Sequence, residues 1–406
     1  MLKLAAPDDA EQMMTGEEMD LLPATWMRGG TSKCWLFKAS ELRVGELAMG
    51  NPELEELLVR VFGSGDPRQI NGVGGGTSTT SKAAFVRRST RPDADVDYLF
   101  AQVGTDARSV DWTSNCGNCA SAVALHALEE AIAPTGEEES VVRLFNINTG
   151  ARLDAVIPTK GAVIPVVGTA TIPGVVGGGV PVEVLFRDAA GSTTGATLPT
   201  GMAIDTVEAP QGSIDVTYVD AGAPAMLLRA SDFAIRGTEL PAKISRLVAP
   251  LIALRGAGAR RIGLVGPDGV LPNAVPKVGL VAPPAEYRTV EGTTIAGENY
   301  DVAARMISMG DWHPMIGITS VIALTVAAFT EGTLVHGIVG PRRDQGAVRI
   351  GTPGGVVTGA LRREAGGNFA VGTLRTARRL ANAALFVGGP SLRADEENWD
   401  EENRGS

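Results

Sequence analysis

The chain has 406 residues, of which 44% are hydrophobic and 20% are charged. This balance excludes a mainly disordered chain and predicts roughly two or three globular domains. Glycine is in excess, with 51 residues, but no G-X-Y period exists, so collagen is excluded. The net charge of −10 argues at first against anionic ligands and nucleic acid. However, residues 1–20 and 391–406 each carry six acidic residues, so we expect two solvated acidic ends around a nearly neutral body.

The number of cysteines and the length of the apolar runs predict the cellular compartment of the protein. Cys34, Cys116 and Cys119 are too few for a disulfide scaffold in a chain of this size. The N-terminal residues lack the pattern of a secretory signal, and no apolar run reaches the ~18 residues that a membrane-spanning helix needs. No basic stripe with interleaved aromatic residues indicates nucleic-acid binding. We therefore expect a cytoplasmic protein with reduced thiols and with neither a membrane nor a nucleic-acid partner.

The first half of the chain alternates between strand and helix patterns. A strand, a tight turn and a second strand are predicted over residues 23–38, and apolar residues at helical spacing predict a helix over residues 51–62. A glycine-rich loop, residues 72–81, precedes a strand or helix start at residues 82–86. The later predicted elements are a strand at 98–103, a buried helix of small residues at 116–132 and β-structure over 141–186.

The second half repeats this order after a loop at residues 191–201. The patterns predict a strand pair over 216–228, a helix over 240–254, a lysine-bearing strand over 273–282 and an apolar helix within 309–329. In the first of these helices Thr238 is a possible N-cap and Pro250 is expected to cause a kink or an early stop. The pentapeptides SAVAL at 121–125 and SVIAL at 320–324 occupy similar places on the two long helices.

These patterns predict an α+β fold of two pseudo-symmetric domains, each a β-rich, barrel-like sheet around a central helix. We predict an acidic N-terminal extension at residues 1–20 and a first domain at 21–205. A second domain is predicted at 206–384, followed by a C-terminal segment with an acidic tail at 385–406.

Most common catalytic patterns are absent from the sequence. There is no Walker A loop, complete G-x-G-x-x-G, G-x-S-x-G or H-E-x-x-H. The chain has only three histidines, His126, His313 and His336, and we predict no metal site. The single C-x-x-C, Cys116 to Cys119, has three interpretations: half of a zinc site, a redox pair, or one catalytic thiol at a helix N-terminus. We favour the third for Cys116, where the helix dipole stabilises a thiolate or binds an anion, and expect Cys119 to pack as a small apolar residue.

Three segments combine small residues with a cation or a thiol. They are M-R-G-G-T-S-K at 27–33, the glycine-rich run D-P-R-Q-I-N-G-V-G-G-G-T-S-T-T-S-K at 66–82, and N-C-G-N at 115–118. Successive glycines allow backbone N–H groups to form an anion-binding nest, and serine and threonine add hydroxyl donors. With Arg28, Lys33, Arg68 and Lys82 nearby in sequence, the pattern predicts recognition of a small polyanion without a metal. Both phosphate and carboxylate groups are compatible with this anion-binding pattern.

The motifs R-G-G-T-S-K, G-G-G-T-S-x-T-S-K and C-G-N resemble those of the PrpF family of isomerases. That family includes 2-methylaconitate isomerase, 4-oxalomesaconate tautomerase and 3-methylitaconate isomerase, and it has the diaminopimelate epimerase-like fold. The resemblance covers nearly the whole chain. It continues at Pro199–Gly201, Pro276–Lys277, His313–Thr319, Gly351–Gly355 and Arg375–Arg379.

The resemblance implies that Lys82 and Cys116 form an acid/base pair facing each other across an interdomain cleft. It also implies a small unsaturated polycarboxylate as the substrate, with no cofactor, and a homodimer is compatible with it. The expected substrate-binding residues are Arg28, Thr31, Ser32, Lys33, Arg68, Gly75, Gly76, Thr77, Ser78, Gly117, Asn118, Lys277, His313 and Thr319.

The implied reaction, a double-bond shift or tautomerisation, sets physical requirements. A 1,3-allylic isomerase removes a proton next to a C=C–carboxylate system and returns one two carbons away, through a dienolate that donors and cations must stabilise. The base must be neutral, whereas a free lysine has a pKa of about 10.4. We expect Arg68 or Lys33, together with desolvation, to lower the pKa of Lys82. Lys82 then abstracts the proton, and Cys116 either donates to the opposite position or only orients the substrate.

Two other functions stay open on the sequence alone. An amino-acid epimerase or racemase of the same fold normally has a cysteine at both helix N-termini, and residues 310–320 contain none. A non-catalytic carboxylate-binding protein would not need Lys82 and Cys116.

The chain departs from the family pattern at Cys34, Cys119, His126 and Ala223. For single residues the structural alternatives are a surface position for Lys82, pairing of Arg68 with Asp66, structural roles for His126 and His313, and a solvated or interface ion-pair face of Arg375, Arg378 and Arg379.

Overall fold

The computed structural model describes residues 20–42, 46–113, 116–210, 212–265, 269, 275–308, 310–340, 346–363 and 369–387. Residues 1–19, Asn115 and the acidic tail beyond 387 lie outside the described residues. The α-helices are α1 (Pro52–Phe62), α2 (Gly117–Glu129), α3 (Val248–Arg261), α4 (Ile318–Phe329) and α5 (Leu334–Val339). The strands are β1 (Asp20–Gly29), β2 (Ser32–Lys38), β3 (Lys82–Arg88), β4 (Val96–Val103), β5 (Val110–Asp111), β6 (Glu139–Asn146), β7 (Arg152–Pro158), β8 (Val180–Arg187), β9 (Asp205–Ala209), β10 (Gly212–Ala221), β11 (Ala223–Arg229), β12 (Lys277–Ala282), β13 (Tyr287–Arg288), β14 (Thr294–Ile295), β15 (Val302–Ser308), β16 (Asp311–Trp312), β17 (Ala347–Thr352), β18 (Gly355–Arg363) and β19 (Phe369–Val387).

Strands of the first half close into a barrel around helix α2. The pairing order is β1, β2, β3, β4, β6, β7, β8 and β19, and β19 pairs again with β1. Helix α2 contacts β1, β2, β3, β6, β7, β8 and β19, and every residue from Gly117 to Leu128 is buried. A helix with apolar or small residues on all sides is stable only where protein surrounds it completely, which explains its place on the barrel axis.

The second half repeats the same strand order around helix α4. Strands β10, β11, β12, β15, β17, β18 and β19 pair in that order. Their orientations are antiparallel, parallel, antiparallel, parallel, antiparallel and antiparallel, as for β1, β2, β3, β4, β6, β7 and β8 of the barrel. Helix α3 lies between β11 and β12 in the chain, as α1 lies between β2 and β3, and β16 precedes α4 as β5 precedes α2. The two halves are thus related by pseudo-symmetry.

Strand β19 joins the halves because it pairs with three others. Its first residues pair with β18, its middle with β8 and its end with β1. The α+β class and the two β-rich halves around buried helices, predicted from the sequence, are confirmed. The domain boundaries at 205 and 384 stay predictions, since nothing but this pairing bears on them. Among the described residues, no helix combines the length and apolar character needed to cross a membrane.

Most predicted elements are confirmed, and one helix was misplaced. The strand–turn–strand at 23–38, the helix at 51–62 and the strands beginning at Lys82 and near Tyr98 are present. The helix predicted over 240–254 is wrong: this stretch begins with two short 3-10 turns, and α3 runs from Val248 to Arg261. Pro250 therefore lies in the first turn of α3, where its missing N–H costs no intrahelical hydrogen bond.

Candidate active site

A cavity of about 300 Å³ lies between the two halves, where helices α2 and α4 begin. A Cβ atom added to Gly117, the first residue of α2, would lie 3.0 Å from Cβ of Ile318, the first residue of α4, and would overlap its Cγ2. The two helix N-termini therefore meet, and their free N–H groups and positive dipole ends favour anions at this point. We call this space the interdomain cavity.

Lys82 enters the cavity as the first residue of strand β3. Its register partner on β4 is Gln102, whose side-chain Oε1 accepts a hydrogen bond from Lys82 Nζ. Gln102 Nε2 donates in turn to the carbonyl of Ser81 at 2.9 Å, and Lys82 Nζ lies 5.1 Å from the ring centroid of Phe100. These contacts hold the buried amino group in one place. The sequence interpretation missed Gln102, although a lone polar residue in the apolar strand Tyr98–Val103 was a usable signal.

Cys116 is the N-cap residue of α2, and its side chain also faces the cavity. Its hydrogen bond with Cys119, followed by burial, raises the pKa of the Cys116 thiol well above its ordinary value, although Lys82 acts in the opposite direction. This shift opposes the thiolate that the helix N-terminus would favour, and the catalytic role of Cys116 stays a prediction. All three cysteines are free, and Cys119 packs in the core as predicted.

The second half contributes Lys277, His313 and Thr319 to the same cavity. Burial, together with the nearby positive charges of Arg255 and Lys82, lowers the pKa of Lys277 to about 8. Burial, with Lys82 and Lys277 close by, lowers the pKa of His313 to about 4. The His313 Nδ1 accepts a hydrogen bond from the backbone N–H of Met315 at 3.0 Å. His313 is therefore neutral. It lines the cavity, and its hydrogen bond with Met315 fixes the loop to which both residues belong.

Asn118 connects the cavity to Arg375 on strand β19. Asn118 Nδ2 donates to Thr31 Oγ1 at 3.1 Å, and its Oδ1 accepts from Arg375 Nε at 3.2 Å. Arg375 is only 4% exposed, so its predicted place on a solvated or interface ion-pair face was wrong. By contrast, Arg378 is exposed and Arg379 pairs with Glu129 and Glu130. Leu374 is exposed and Arg375 is buried, so successive side chains of β19 point to opposite sides and Arg375 faces inward, where it fixes the Asn118 side chain.

The structure divides the predicted site residues into two groups. The cavity is lined by Ser32, Ser78, Lys82, Cys116, Gly117, Asn118, Lys277, His313 and Thr319. The residues outside its lining are Arg28, Thr31, Lys33, Arg68, Gly75, Gly76 and Thr77. Lys82 and Cys116 both belong to the first half, and the second half lines the cavity with Lys277 and with residues between 306 and 320.

The predicted activating cations and the glycines have other surroundings. Lys33 and Arg68 are exposed, and Arg28 donates to the carbonyls of Gly30 and Thr376. A Cβ atom on Gly74 would overlap Gln69 Oε1, and one on Gly75 would overlap Thr80. The glycines of this loop thus permit close packing within the loop, and the cation beside the cavity lysine is Lys277 rather than Lys33 or Arg68.

A second cavity of about 590 Å³ adjoins the first at Lys277 and Thr319, which line both. Its remaining lining includes Thr113, Thr149 and Arg152 from the first half and Val275 from the second. Arg152 is held by an ion pair with Asp93 at 2.8 Å. The side chain of Lys277 therefore stands between two cavities.

Comparison with known proteins agrees with the resemblance seen in the motifs. The family model described as PrpF protein matches residues 19–388. The chain belongs to the PrpF family. It is 34% identical over 374 residues to 3-methylitaconate isomerase of Eubacterium barkeri, covering 90% of this chain and 97% of that protein. It is 35% identical over 349 residues to 2-methyl-aconitate isomerase of Shewanella oneidensis, covering 82% and 87%.

Solved structures agree with the assignment of the chain to the PrpF family. The crystal structure of methylitaconate-delta-isomerase matches with a TM-score of 0.78 at 33% identity, covering 92% of this chain and 98% of that one. A hydroxyproline epimerase from Agrobacterium vitis matches with a TM-score of 0.53 at 15% identity, covering 92% and 95%. At 15% identity, the similarity to the hydroxyproline epimerase shows only a common fold.

Proposed function

We propose that this PrpF-family chain is an isomerase that moves a C=C bond, or tautomerises, in a small unsaturated di- or tricarboxylate. The observation that carries the proposal is the interdomain cavity, where two helix N-termini and two lysines surround a space of about 300 Å³. Helix N-termini and lysines both stabilise carboxylates. The relatives named as 3-methylitaconate and 2-methyl-aconitate isomerases support this class of substrate.

The cavity residues suit each requirement of such a reaction. Ser32, Ser78 and Asn118 offer hydrogen-bond donors to the substrate carboxylates, together with the first N–H groups of α2 and α4. As a proton leaves the allylic carbon, negative charge spreads into a dienolate, which preorganised donors and lysine cations stabilise more than the ground state. Lys82 is the predicted proton acceptor. Cys116, a thiol at neutral pH, serves as a donor or orients the substrate. We expect no cofactor, and the cytoplasmic location and a homodimer also stay predictions.

Deuterium exchange tests this proposal most simply. The protein is incubated in D₂O with trans-aconitate, 2-methylaconitate, 3-methylitaconate or 4-oxalomesaconate, and proton NMR follows each C–H position. We expect at least one acid to exchange its allylic proton in a reaction that Lys82→Ala abolishes and that Lys243→Ala, on an exposed lysine, leaves intact. Exchange of no acid in the panel would refute the substrate class.

The epimerase alternative makes a different prediction in the same experiment. The N-cap of α4 is Gly317, the pseudo-symmetric counterpart of Cys116, so the second thiol of a two-cysteine epimerase is absent from this described position. Proline and trans-4-hydroxyproline are therefore expected to keep their α-proton. Their exchange, without exchange of any unsaturated acid, would favour the epimerase.

A further inference from the structure

The fold brings the three cysteines of the chain together. Cys116 is the N-cap of α2, and Cys119 lies three residues further, in the first turn of the same helix. The thiols of Cys116 and Cys119 form a hydrogen bond, and Cys119 is also hydrogen-bonded to Cys34 of strand β2. The proposed isomerisation uses Cys116 alone, and Cys119 is a position where the chain departs from the family pattern. The second thiol beside the catalytic one therefore has no assigned role.

The three thiols differ in their access to solvent. Cys116 is half-buried and lines the interdomain cavity, whereas Cys34 and Cys119 are both 0% exposed. A small oxidant that enters the cavity therefore meets Cys116 first. Oxidation of Cys119 then has to proceed through the sulfur of Cys116.

The backbone at the start of α2 suits a bond between Cys116 and Cys119. Cys116 has a φ of −114° and a ψ of 94°, the extended conformation of an N-cap residue, whose side chain turns towards the second or third residue of the helix. Cys119 is that third residue, and the hydrogen bond already holds the two sulfur atoms near each other. Cys-x-x-Cys pairs at helix N-termini carry the chemistry of disulfide oxidoreductases.

We propose that Cys116 and Cys119 form a reversible disulfide when a hydroperoxide enters the interdomain cavity, with Cys116 as the thiol that is oxidised first and Cys119 as the resolving thiol. The disulfide removes Cys116 from the acid/base pair with Lys82 and so stops isomerisation. This consequence rests on the proposed function, whereas formation of the disulfide does not. Because oxidation ends at the disulfide, Cys116 is protected from irreversible conversion to a sulfinic or sulfonic acid.

Two steps account for all atoms and electrons. The Cys116 thiolate attacks one oxygen of hydrogen peroxide: an S–O bond forms, the O–O bond breaks and hydroxide leaves, so Cys116 becomes a sulfenic acid. That hydroxide takes the proton of Cys119, whose thiolate attacks the Cys116 sulfur: an S–S bond forms, the S–O bond breaks, and a second hydroxide leaves and takes up the proton first lost by Cys116. Two thiols thus lose two electrons and two protons, and one peroxide becomes two waters.

The surroundings of the pair control the first step. Only a thiolate attacks the peroxide, and the hydrogen bond with Cys119, followed by burial, raises the pKa of the Cys116 thiol well above its ordinary value. Burial likewise raises the pKa of Cys119, and the positive charge of Lys82 opposes both shifts. We therefore expect the pair to stay reduced during turnover and to respond to an excess of peroxide.

Peptide mapping of the folded wild-type protein tests the disulfide directly. The protein is treated with hydrogen peroxide, its free thiols are alkylated with iodoacetamide in denaturant, and it is digested with trypsin without reduction. Cys116 and Cys119 fall in one tryptic peptide, residues 109–143, and Cys34 falls in another, residues 34–38. We expect the first peptide to be two hydrogens lighter and not alkylated, and Cys34 to be alkylated. Dithiothreitol added before alkylation should restore both thiols.

Other maps would overturn the inference. A cross-link between the two peptides would show a bond between Cys34 and Cys119 in place of the proposed one. A sulfinic acid at Cys116 beside a free Cys119 would show that Cys119 does not resolve the oxidised thiol. Three free thiols, after a treatment that oxidises free cysteine in solution, would show that the pair does not react.

Two variants separate the resolving thiol from a merely packed one. In Cys119→Ala, peroxide should convert Cys116 to the sulfinic acid, and dithiothreitol should restore neither the thiol nor the activity. Cys34→Ala, which removes the other buried thiol, should behave as the wild type does. Thermal unfolding shows whether each variant folds, and Cys119→Val provides a larger apolar side chain if Cys119→Ala does not. Full recovery of a folded Cys119 variant with dithiothreitol would count against Cys119.

Isomerisation of 3-methylitaconate, 2-methylaconitate or 4-oxalomesaconate provides the functional readout. Peroxide should abolish the activity of the wild type, and dithiothreitol should return it. If the untreated protein converts none of these acids, the proposed function fails, and the peptide map still decides whether the disulfide forms. If the protein keeps its activity while the map shows the disulfide between Cys116 and Cys119, the inferred control of the reaction is refuted and the substrate class stands.

Discussion

Gly30→Ala tests whether the turn between β1 and β2 positions the cavity side chain of Asn118. Gly30 has a φ of +52°, and a Cβ atom there would overlap Asn118 Oδ1 and lie 2.7 Å from its Cγ. Asn118 cannot move freely, because Thr31 and Arg375 hold its two ends. The substitution therefore strains the backbone and displaces a side chain that lines the cavity.

The matched control is Gly50→Ala. Gly50 has a φ of +69° and no atom within 4 Å of an added Cβ, so it should show the backbone cost alone, about 1–2 kcal/mol. Gly30→Ala adds crowding, typically another ~1–3 kcal/mol, and a displacement of Asn118 on the order of 1 Å can lower activity by ~10²-fold.

Urea unfolding and steady-state isomerisation of 3-methylitaconate or 2-methylaconitate measure the two effects separately. We expect Gly50→Ala to keep wild-type kcat/KM and Gly30→Ala to lose most of it while remaining folded. If the two variants match in both stability and kcat/KM, the reasoning about Asn118 is wrong.

Three further predictions follow from the cavity and the core. Cys116→Ser should lower kcat by ~10²–10⁴-fold, because a serine hydroxyl holds its proton more tightly than the thiol that it replaces; a kcat within ~10-fold of wild type in the folded variant would show that Cys116 only orients the substrate. Gly117→Ala should lower the unfolding temperature because its Cβ overlaps Ile318, and Ile318→Ala in the same chain should recover part of the loss. Burial lowers the pKa of His126 from 6.5 to about 4, so its contribution to stability is complete above pH 6.5 and is lost as the pH falls towards 4. His126→Leu should flatten that part of the stability curve by up to about 3 kcal/mol, and an unchanged curve would contradict the account.

The sequence predicted elements whose cause is local. The helix at 51–62 has a regular apolar spacing, an Asn51 cap and a proline in its first turn, and these signals act within a few residues. The buried helix α2 was also predictable because its residues are small or apolar on every side. The helix over 240–254 was misplaced because Pro250 permits both a helix end and a first helical turn, and packing decides between them.

The site was predictable in its residue types but less so in its geometry. Lys82, Cys116 and Lys277 line the cavity, and the resemblance supplied them. The roles of Gln102 and Arg375 depend on strand register and on the return of β19 to the first barrel, which bring residues far apart in sequence together. The same limit explains why Lys33 and Arg68 were expected beside Lys82: both belong to the motifs that carry cations, but the fold leaves them exposed and outside the cavity lining.

The central claim is that the side chains of this cavity move a proton between two carbons of an unsaturated polycarboxylate. The most direct test adds 3-methylitaconate, 2-methylaconitate or 4-oxalomesaconate to the protein in D₂O and resolves deuterium at each carbon by NMR as the double bond migrates. The account predicts that at least one acid gains deuterium at both ends of its allylic system and reaches the same isomer mixture from either side, and that Lys82→Ala abolishes both. Unchanged spectra for all three acids, or equal conversion by Lys82→Ala, would contradict it.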